Sequence, residues 1–498
     1  MTALPADAKV RGTRRWPILL VVLGVVGAGV AAGHATSATA ERPVEPTDAA
    51  QTATSDALTS VWFCPGLPSS FPSRDQTLTL SNLGADATGA VVTIDPDDGS
   101  EPVRRTVSVP GNSVRSFNRA TLAQAAASGT QRSAPSLAPG PMVVEPLSPA
   151  VVVQQGLETA QALDLMTCAT TTSTDWYFAA GTTVRGVSEW LVLDNPLSTD
   201  ARVNVEVRSE VGLRLLPELQ GVDVPGRSRV VIEVHNQAVR QERVALAVHA
   251  AVGRVVASET TQFTSASGPP GVASTVGALA PAKRWWFTDG RSVPDAVERV
   301  AISNLGPIDT QVIAQALIGS AGIVAPVSIT VPANGVSWVQ VGNCEQKAKD
   351  CLRVPDNRGY DLIVSDAQVP VVAQTLSRFG AGTGSLGATT STGTTVPARR
   401  WVVARTRALA GRTTSVSVMT PGPSASHVDV EVVHGGRADR PPKLQDLTVA
   451  SNTRAVLAAD ALPDDDAALI VTSDEPVVVE STIYAARDAT RGTGVPSR

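Results

Sequence analysis

Short runs of alternating apolar and polar residues recur along most of the chain. Val203, Val205 and Val207 alternate with Asn204, Glu206 and Arg208, and Val428, Val430 and Val432 with Asp429 and Glu431. Side chains two apart on a strand share a face, so these runs predict strands with one buried face. Other runs are continuously apolar, such as Val151-Val152-Val153 and Val477-Val478-Val479, and read as further strands. Turn chemistry separates the runs. Asp95-Pro96-Asp97-Asp98-Gly99, Pro110-Gly111 and Pro225-Gly226 supply side chains that bond locally and residues that tolerate sharp backbone reversal.

The runs fall into a repeated order. A tryptophan phrase opens each set: Trp62-Phe63-Cys64-Pro65-Gly66, Trp176-Tyr177-Phe178-Ala179-Ala180-Gly181, Trp285-Trp286-Phe287-Thr288-Asp289-Gly290 and a worn Trp401-Val402-Val403-Ala404. Ser81-Asn82-Leu83-Gly84 recurs letter for letter as Ser303-Asn304-Leu305-Gly306, with Asp194-Asn195-Pro196 between them. A Val-Pro turn follows, at Val109-Pro110, Val224-Pro225 and Val331-Pro332, and a Val-Val strand closes each set. Repetition at this period predicts tandem domains, and short strands with regular turns predict β-sandwiches. The expected fold class is all-β, with tandem immunoglobulin-like sandwiches after an N-terminal transmembrane helix. A propeller-like arrangement of the repeats is the alternative.

The boundaries read as follows. Residues 1–15 are a basic tail and 16–35 a transmembrane segment or signal anchor. Residues 41–60 form a Pro-, Thr- and acid-rich linker. The β domains span 61–170, 174–264, 284–379 and 399–486, with flexible links at 265–283 and 380–398. The first domain carries a low-complexity insertion near 124–140. Aligned on Trp62, Trp176, Trp286 and Trp401, the copies place those rings as core anchors of the first strand, and Trp285 is a ring the repeat does not require. Trp285, Trp190 and Trp338 are then the candidate partner-facing tryptophans.

Trp16 to Gly33 carries no charge and is nearly long enough to cross a hydrocarbon core of about 30 Å. Lys9, Arg11, Arg14 and Arg15 precede it, so the positive-inside rule puts the N-terminus in the cytoplasm and the bulk of the chain outside. The segment is either a retained single-pass anchor or a signal peptide cut after Ala38-Thr39-Ala40. The lipid bilayer is thus one expected partner, and the cell membrane the expected location, with secretion as the alternative.

The net charge is −5 and no basic stripe is present, which argues against nucleic acid. Four cysteines, Cys64, Cys168, Cys344 and Cys351, all follow the apolar segment, where oxidation is permitted. Of the three pairings, Cys64–Cys168 and Cys344–Cys351 are favoured; the second closes the small loop CEQKAKDC. Neither spacing is that of a zinc knuckle.

No nucleophile elbow, phosphate loop, dinucleotide fingerprint or His-Glu-x-x-His is found. The five histidines are scattered. Asp95, Asp97 and Asp98 lack EF-hand spacing and read as a turn. No catalytic residue, metal site or cofactor is assigned.

The tryptophan phrases, the N-terminal apolar segment and the Val-Val-[Ala/Val]-x-[Glu/Gln]-[Ser/Thr]-Thr endings resemble a DUF5719-like family of uncharacterised secreted or membrane-anchored actinobacterial proteins. The resemblance spans about residues 60–485. It implies an extracytoplasmic envelope location and brings no active residues. Copy four departs from the pattern by losing the aromatic-Gly opening, and copy one by its insertion. The expected function is a non-catalytic structural or protein-interaction role in the cell envelope. The alternatives are a carbohydrate- or peptidoglycan-binding array, with envelope protein or cell-wall glycan as partner, and an unrecognised envelope hydrolase.

Overall fold

Eight strands recur in each repeat, in the same order and the same two sheets; copies two and four add a short edge strand beside the third, Gly212–Arg214 and Arg437–Asp439, and copy three adds Cys351–Leu352, parallel to its fifth. This computed structural model describes residues 48–497 apart from 55–56, 72–74, 125–139, 160–161, 320–321, 323, 381, 383–384 and 408–411. The basic tail and apolar segment lie outside the described residues, as does most of the insertion. Among the described residues, no helix is long and apolar enough to cross a membrane.

The first strands are Trp62–Cys64, Asp175–Gly181, Trp285–Ser292 and Ala398–Arg407. The eighth are Leu163–Thr167, Gly271–Val276, Gly387–Thr392 and Ala489–Thr493. One sheet takes strands in the order 1-6-3-4 and the other 5-2-7-8, all antiparallel. In copy four, strands six and seven are one continuous strand, Asp466–Ala485, which passes from one sheet to the other. The fold is therefore all-β and built of sandwich-like sheet pairs.

The repeated turns persist for a physical reason. Asn82, Asn195 and Asn304 are buried at the end of the second strand. Each side-chain amide donates to carbonyls across the turn: Asn304 Nδ2 to Ile308 O at 2.7 Å and Val331 O at 3.2 Å, Asn195 Nδ2 to Thr199 O at 2.8 Å and Val224 O at 3.0 Å, and Asn82 Nδ2 to Asp86 O, Val109 O and Pro110 O. Each carboxamide oxygen accepts a backbone N–H two residues on. The Asn thus stands in for strand partners that a turn cannot provide. Thr420 occupies this place in copy four, at the end of its second strand.

The tryptophan register is corrected. The indole N–H of Trp176 donates to Val255 O, that of Trp285 to Val371 O and that of Trp401 to Val477 O, at 2.8, 2.8 and 2.9 Å. Trp62, Trp176, Trp285 and Trp401 are the fully buried set. Trp285, not Trp286, is the repeat anchor. Trp286 is the extra ring, half-buried, with the Arg284 guanidinium 5.9 Å from its centre.

The two inferred links are also corrected. Residues 265–283 and 380–398 contain the eighth strands of copies two and three, and these strands are buried. Copy four likewise continues past residue 486 through Ala489–Thr493 to a pair of residues, Val495–Pro496, on the edge of its first strand. The eighth strands lie side by side around a common axis: first beside second, second beside third, third beside fourth, and fourth beside first. Residues 46–498 are one compact unit. The sandwiches thus form a closed ring, which shares with the propeller alternative its arrangement about an axis, although each repeat contributes two sheets.

Candidate functional site

The central axis and the four seams between copies hold most of the buried polar chemistry. The first strand of copies two, three and four carries a bulge, which shifts register opposite the sixth strand. A bulge leaves backbone N–H groups without a ladder partner. The next copy supplies one: Gln374 Oε1 accepts from Ala179 N at 2.6 Å and Ala180 N at 3.0 Å, and Glu480 Oε2 accepts from Thr288 N at 2.8 Å. Gln374 and Glu480 sit at the same place in their repeats, opposite Thr392 and Thr493 of the eighth strand.

Arginines reinforce every seam. Between copies one and two, Arg229 binds Asp97 through two bonds of 2.9 and 2.8 Å and donates to Pro65 O at 2.7 Å. Between two and three, Arg378 donates to the carbonyls of Ser267 and Pro269 and lies 4.3 Å over Phe263. Between three and four, buried Arg491 bridges Glu480 at 2.9 Å and Glu298 at 3.1 Å and donates to Thr288 O. Burial pulls the Arg491 guanidinium down, but the Glu480 and Glu298 charges outweigh it and hold it well above its usual range. The closing seam, four to one, uses Arg405 to Glu158 at 3.0 Å and Ser81 Oγ to Ala404 O at 2.5 Å.

Several carboxyls are buried beyond the reach of solvent. Burial, then the charge of the neighbouring Glu259, raises Glu189 well above its usual value, and burial pushes Glu259 up to about 7. Burial takes Asp194 to about 8 despite the nearby Arg229, and Asp361 to about 7 despite Arg454. All four are raised because a buried charge has little to solvate it; Asp194 and Asp361 lie at seams, near Asp97 of copy one and Arg454 of copy four.

On the axis, Asp164 Oδ1 accepts from Ser274 N at 3.1 Å, Thr490 Oγ1 from Leu165 N at 2.9 Å, and Thr275 and Thr392 hydroxyls meet at 3.1 Å. Thus each eighth strand is fastened to its neighbour by side chains rather than by a shared ladder. Asp488 accepts backbone N–H bonds at the beginning of these strands. At the other end lies a cavity of about 140 Å³, walled by hydroxyls such as Thr167, Ser391 and Thr493, by glycines, and by Arg405 and Arg491. A strap at residues 49–52 crosses its mouth. Thr170 N donates to Ala49 O at 2.9 Å, Gln51 N to Thr170 Oγ1 at 3.1 Å, and Thr52 N to Pro496 O at 3.1 Å.

The residues singled out from sequence can now be placed. Cys64 is bonded to Cys168, and Cys344 to Cys351; two disulfides point to an oxidising environment. Trp285, Trp190 and Trp338 are 1, 6 and 5 % exposed, so none offers a free face. Trp190 meets Phe71 of copy one edge-on at 5.9 Å, and Trp338 packs in the core of copy three beneath Arg299. Asp97 serves the Arg229 seam and Asp98 accepts from Ser100 N in its turn. His249 pairs with Asp175, and His434 lies between Asp439 and Asp465 beside a Gly435-Gly436 hairpin turn. Among the described residues, no group of three or more His, Cys, Asp or Glu is arranged to hold a metal ion. The axis itself left little trace in the sequence. Two of its four strands lie in the Ser/Thr-rich segments 265–283 and 380–398 that read as links.

Comparison with known proteins gives faint likenesses among solved structures. The sensory rhodopsin transducer of Anabaena is 24% identical over 19% of this chain and 96% of that one, with a TM-score of 0.17. A Thermotoga maritima protein is 16% identical over 23% and 95%, with a TM-score of 0.20. A tetra-tandem repeat from the extending region of a large adhesion protein is 11% identical over 88% and 99%, with a TM-score of 0.11. None is near enough to carry an argument about function. No curated protein matches the chain. The family model for a domain of unknown function, by contrast, covers residues 126–389, more than half of the sequence, so the chain belongs to the DUF5719 family.

Proposed function

We propose that this protein is a non-catalytic structural or protein-interaction component of the cell envelope, carried outside the membrane by its N-terminal apolar segment. The observation that carries the reading is the use of the polar groups. Gln374, Glu480, Arg229, Arg378, Arg405 and Arg491 all fasten one copy to the next. A chain that commits its buried charges to its own seams is built to hold a shape. The disulfides support placement in an oxidising compartment. The basic residues before Trp16 support the orientation.

The glycan-array reading has lost its main support, because sugar stacking needs exposed rings and Trp190, Trp285 and Trp338 are buried. The decisive experiment is in-envelope photocrosslinking followed by mass spectrometry, with the purified ectodomain assayed in parallel on isolated cell wall. Recovery of a defined protein neighbour, without turnover, supports the proposal. Saturable turnover of a wall substrate would overturn it, and retention on purified wall would return the choice to the glycan reading.

A further inference from the structure

We propose that the ring axis is a carboxylate-binding site whose ligand is built into the chain as the side chain of Asp488. Four backbone N–H groups converge on this carboxylate, one from the eighth strand of each copy. Oδ2 accepts from Leu163 N at 3.1 Å and Val272 N at 3.3 Å; Oδ1 accepts from Ala388 N at 3.3 Å and Ala489 N at 2.9 Å. Asp488 is buried, at 1 % exposure.

The four donors stand at one position of the repeat, since Leu163, Val272, Ala388 and Ala489 each lie four residues before Thr167, Val276, Thr392 and Thr493, the partners of Gln154, Ser258, Gln374 and Glu480. The residue just before the donor is Ala162, Gly271, Gly387 or Asp488. Three copies therefore leave space that the fourth fills. A Cβ on Gly387 would lie 2.2 Å from Asp488 Oδ1, and one on Gly271 would lie 2.4 Å from Ala388 N. Where eighth strands meet on an axis, they turn an unpaired edge inward. Buried N–H groups on such an edge need an acceptor. The two oxygens of one carboxyl group meet four at once, and burial there raises the Asp488 pKa well above its usual value. One carboxylate thus ties the last repeat to all the others.

The geometry defines the class of ligand that could replace the side chain: a small carboxylate such as formate. The test uses the full chain with Asp488→Gly, which reproduces the residue of copies two and three, and Asp488→Asn, which keeps the shape but turns an amide N–H toward the donors. Unfolding is followed in urea, with sodium formate compared against sodium chloride at equal ionic strength. Both variants should lose at least tenfold in the folding equilibrium. Formate should restore Asp488→Gly saturably, leave the unsubstituted chain unchanged and leave Asp488→Asn unrescued. If Asp488→Gly does not fold in chloride, its refolding yield in formate becomes the readout, and absence of recovery counts against the site. Full stability of Asp488→Asn, or equal stabilisation of all three chains by formate, would overturn the proposal.

Discussion

The crossing of the first strand by the segment after the eighth is made in two chemically different ways. In copies two and three a phenylalanine lies under a glycine: Phe178 under Gly277 and Phe287 under Gly393, with both rings buried. In copy one the same two places hold Cys64 and Cys168, joined by a disulfide. The equivalence rests on hydrogen bonds. Cys168, Gly277 and Gly494 donate to Val153, Ala257 and Val479, each at one position of the seventh strand, and the next residue pairs with the first strand through Phe63–Ala169, Tyr177–Ala278 and Trp286–Thr394. A bulky ring needs an absent side chain opposite it. Two small sulfur side chains fill that volume from both sides and add a covalent tie. Copy one, whose first strand is only Trp62–Cys64, has the fewest ladder bonds to hold this crossing and is the copy that has the bond.

The contrast is open to direct attack. The largest effect is expected at Gly393, where a Cβ would lie 2.5 Å from Phe287 Cζ. Gly393→Val should cost about 3 kcal/mol, at the upper end of overpacking penalties, by urea unfolding. Adding Phe287→Ala should return part of that loss, because the clash is with the ring; strict additivity of the two would refute the pairing. Next, Cys64→Ser with Cys168→Ser should lose about 2–4 kcal/mol, since it opens a long loop. The exchange Cys64→Phe with Cys168→Gly should lose less than the double serine variant if the two solutions are interchangeable.

The converse exchange, Phe178→Cys with Gly277→Cys, should form a third disulfide when the protein is oxidised. Mass spectrometry of non-reduced peptides checks it, and a pair of free thiols would show that the crossings differ in backbone spacing. The smallest change concerns pH. Asp194 belongs to the seam beside these crossings, and its folded pKa lies above that of the unfolded chain. The folded state therefore binds the proton more tightly. Its contribution is complete below about pH 4 and declines as pH rises from there toward about 8. Asp194→Asn should shallow that decline in Tm between pH 5 and 8; an unchanged slope would assign the pH dependence to Glu189 and Glu259.

The crossings also show what could be read in advance. The Trp phrase, the Asn turn and the Val-Pro turn were legible because each meets a local demand: a ring for the core, an amide for a turn, a proline where no N–H is needed. The Cys64–Cys168 pairing is legible because it ties the first strand of copy one to the segment just beyond its Val-Val strand. The register of copy three is ambiguous in sequence because Trp285 and Trp286 are adjacent and either can match Trp62. Trp176-Tyr177-Phe178 followed by Gly181 has the same spacing as Trp285-Trp286-Phe287 followed by Gly290, and that pattern selects Trp285.

The eighth strands were missed for a deeper reason. GVASTV and GATTST have the composition of spacers, and the contacts that fix them on the axis come from residues 100 or more positions away. The seam arginines and Asp488 were equally unreadable, since each finds its partners only once the ring is closed.

The strap has a consequence for chain order. Thr52 bridges directly to Ser497, so the two extremities of the repeat array meet at one mouth. A short linker could join them and new ends could be cut between copies two and three, giving a circular permutant with every seam intact. In such an array the numbering of repeats is a property of the gene and not of the fold: any copy could come first off the ribosome, provided Asp488 still arrived at the axis.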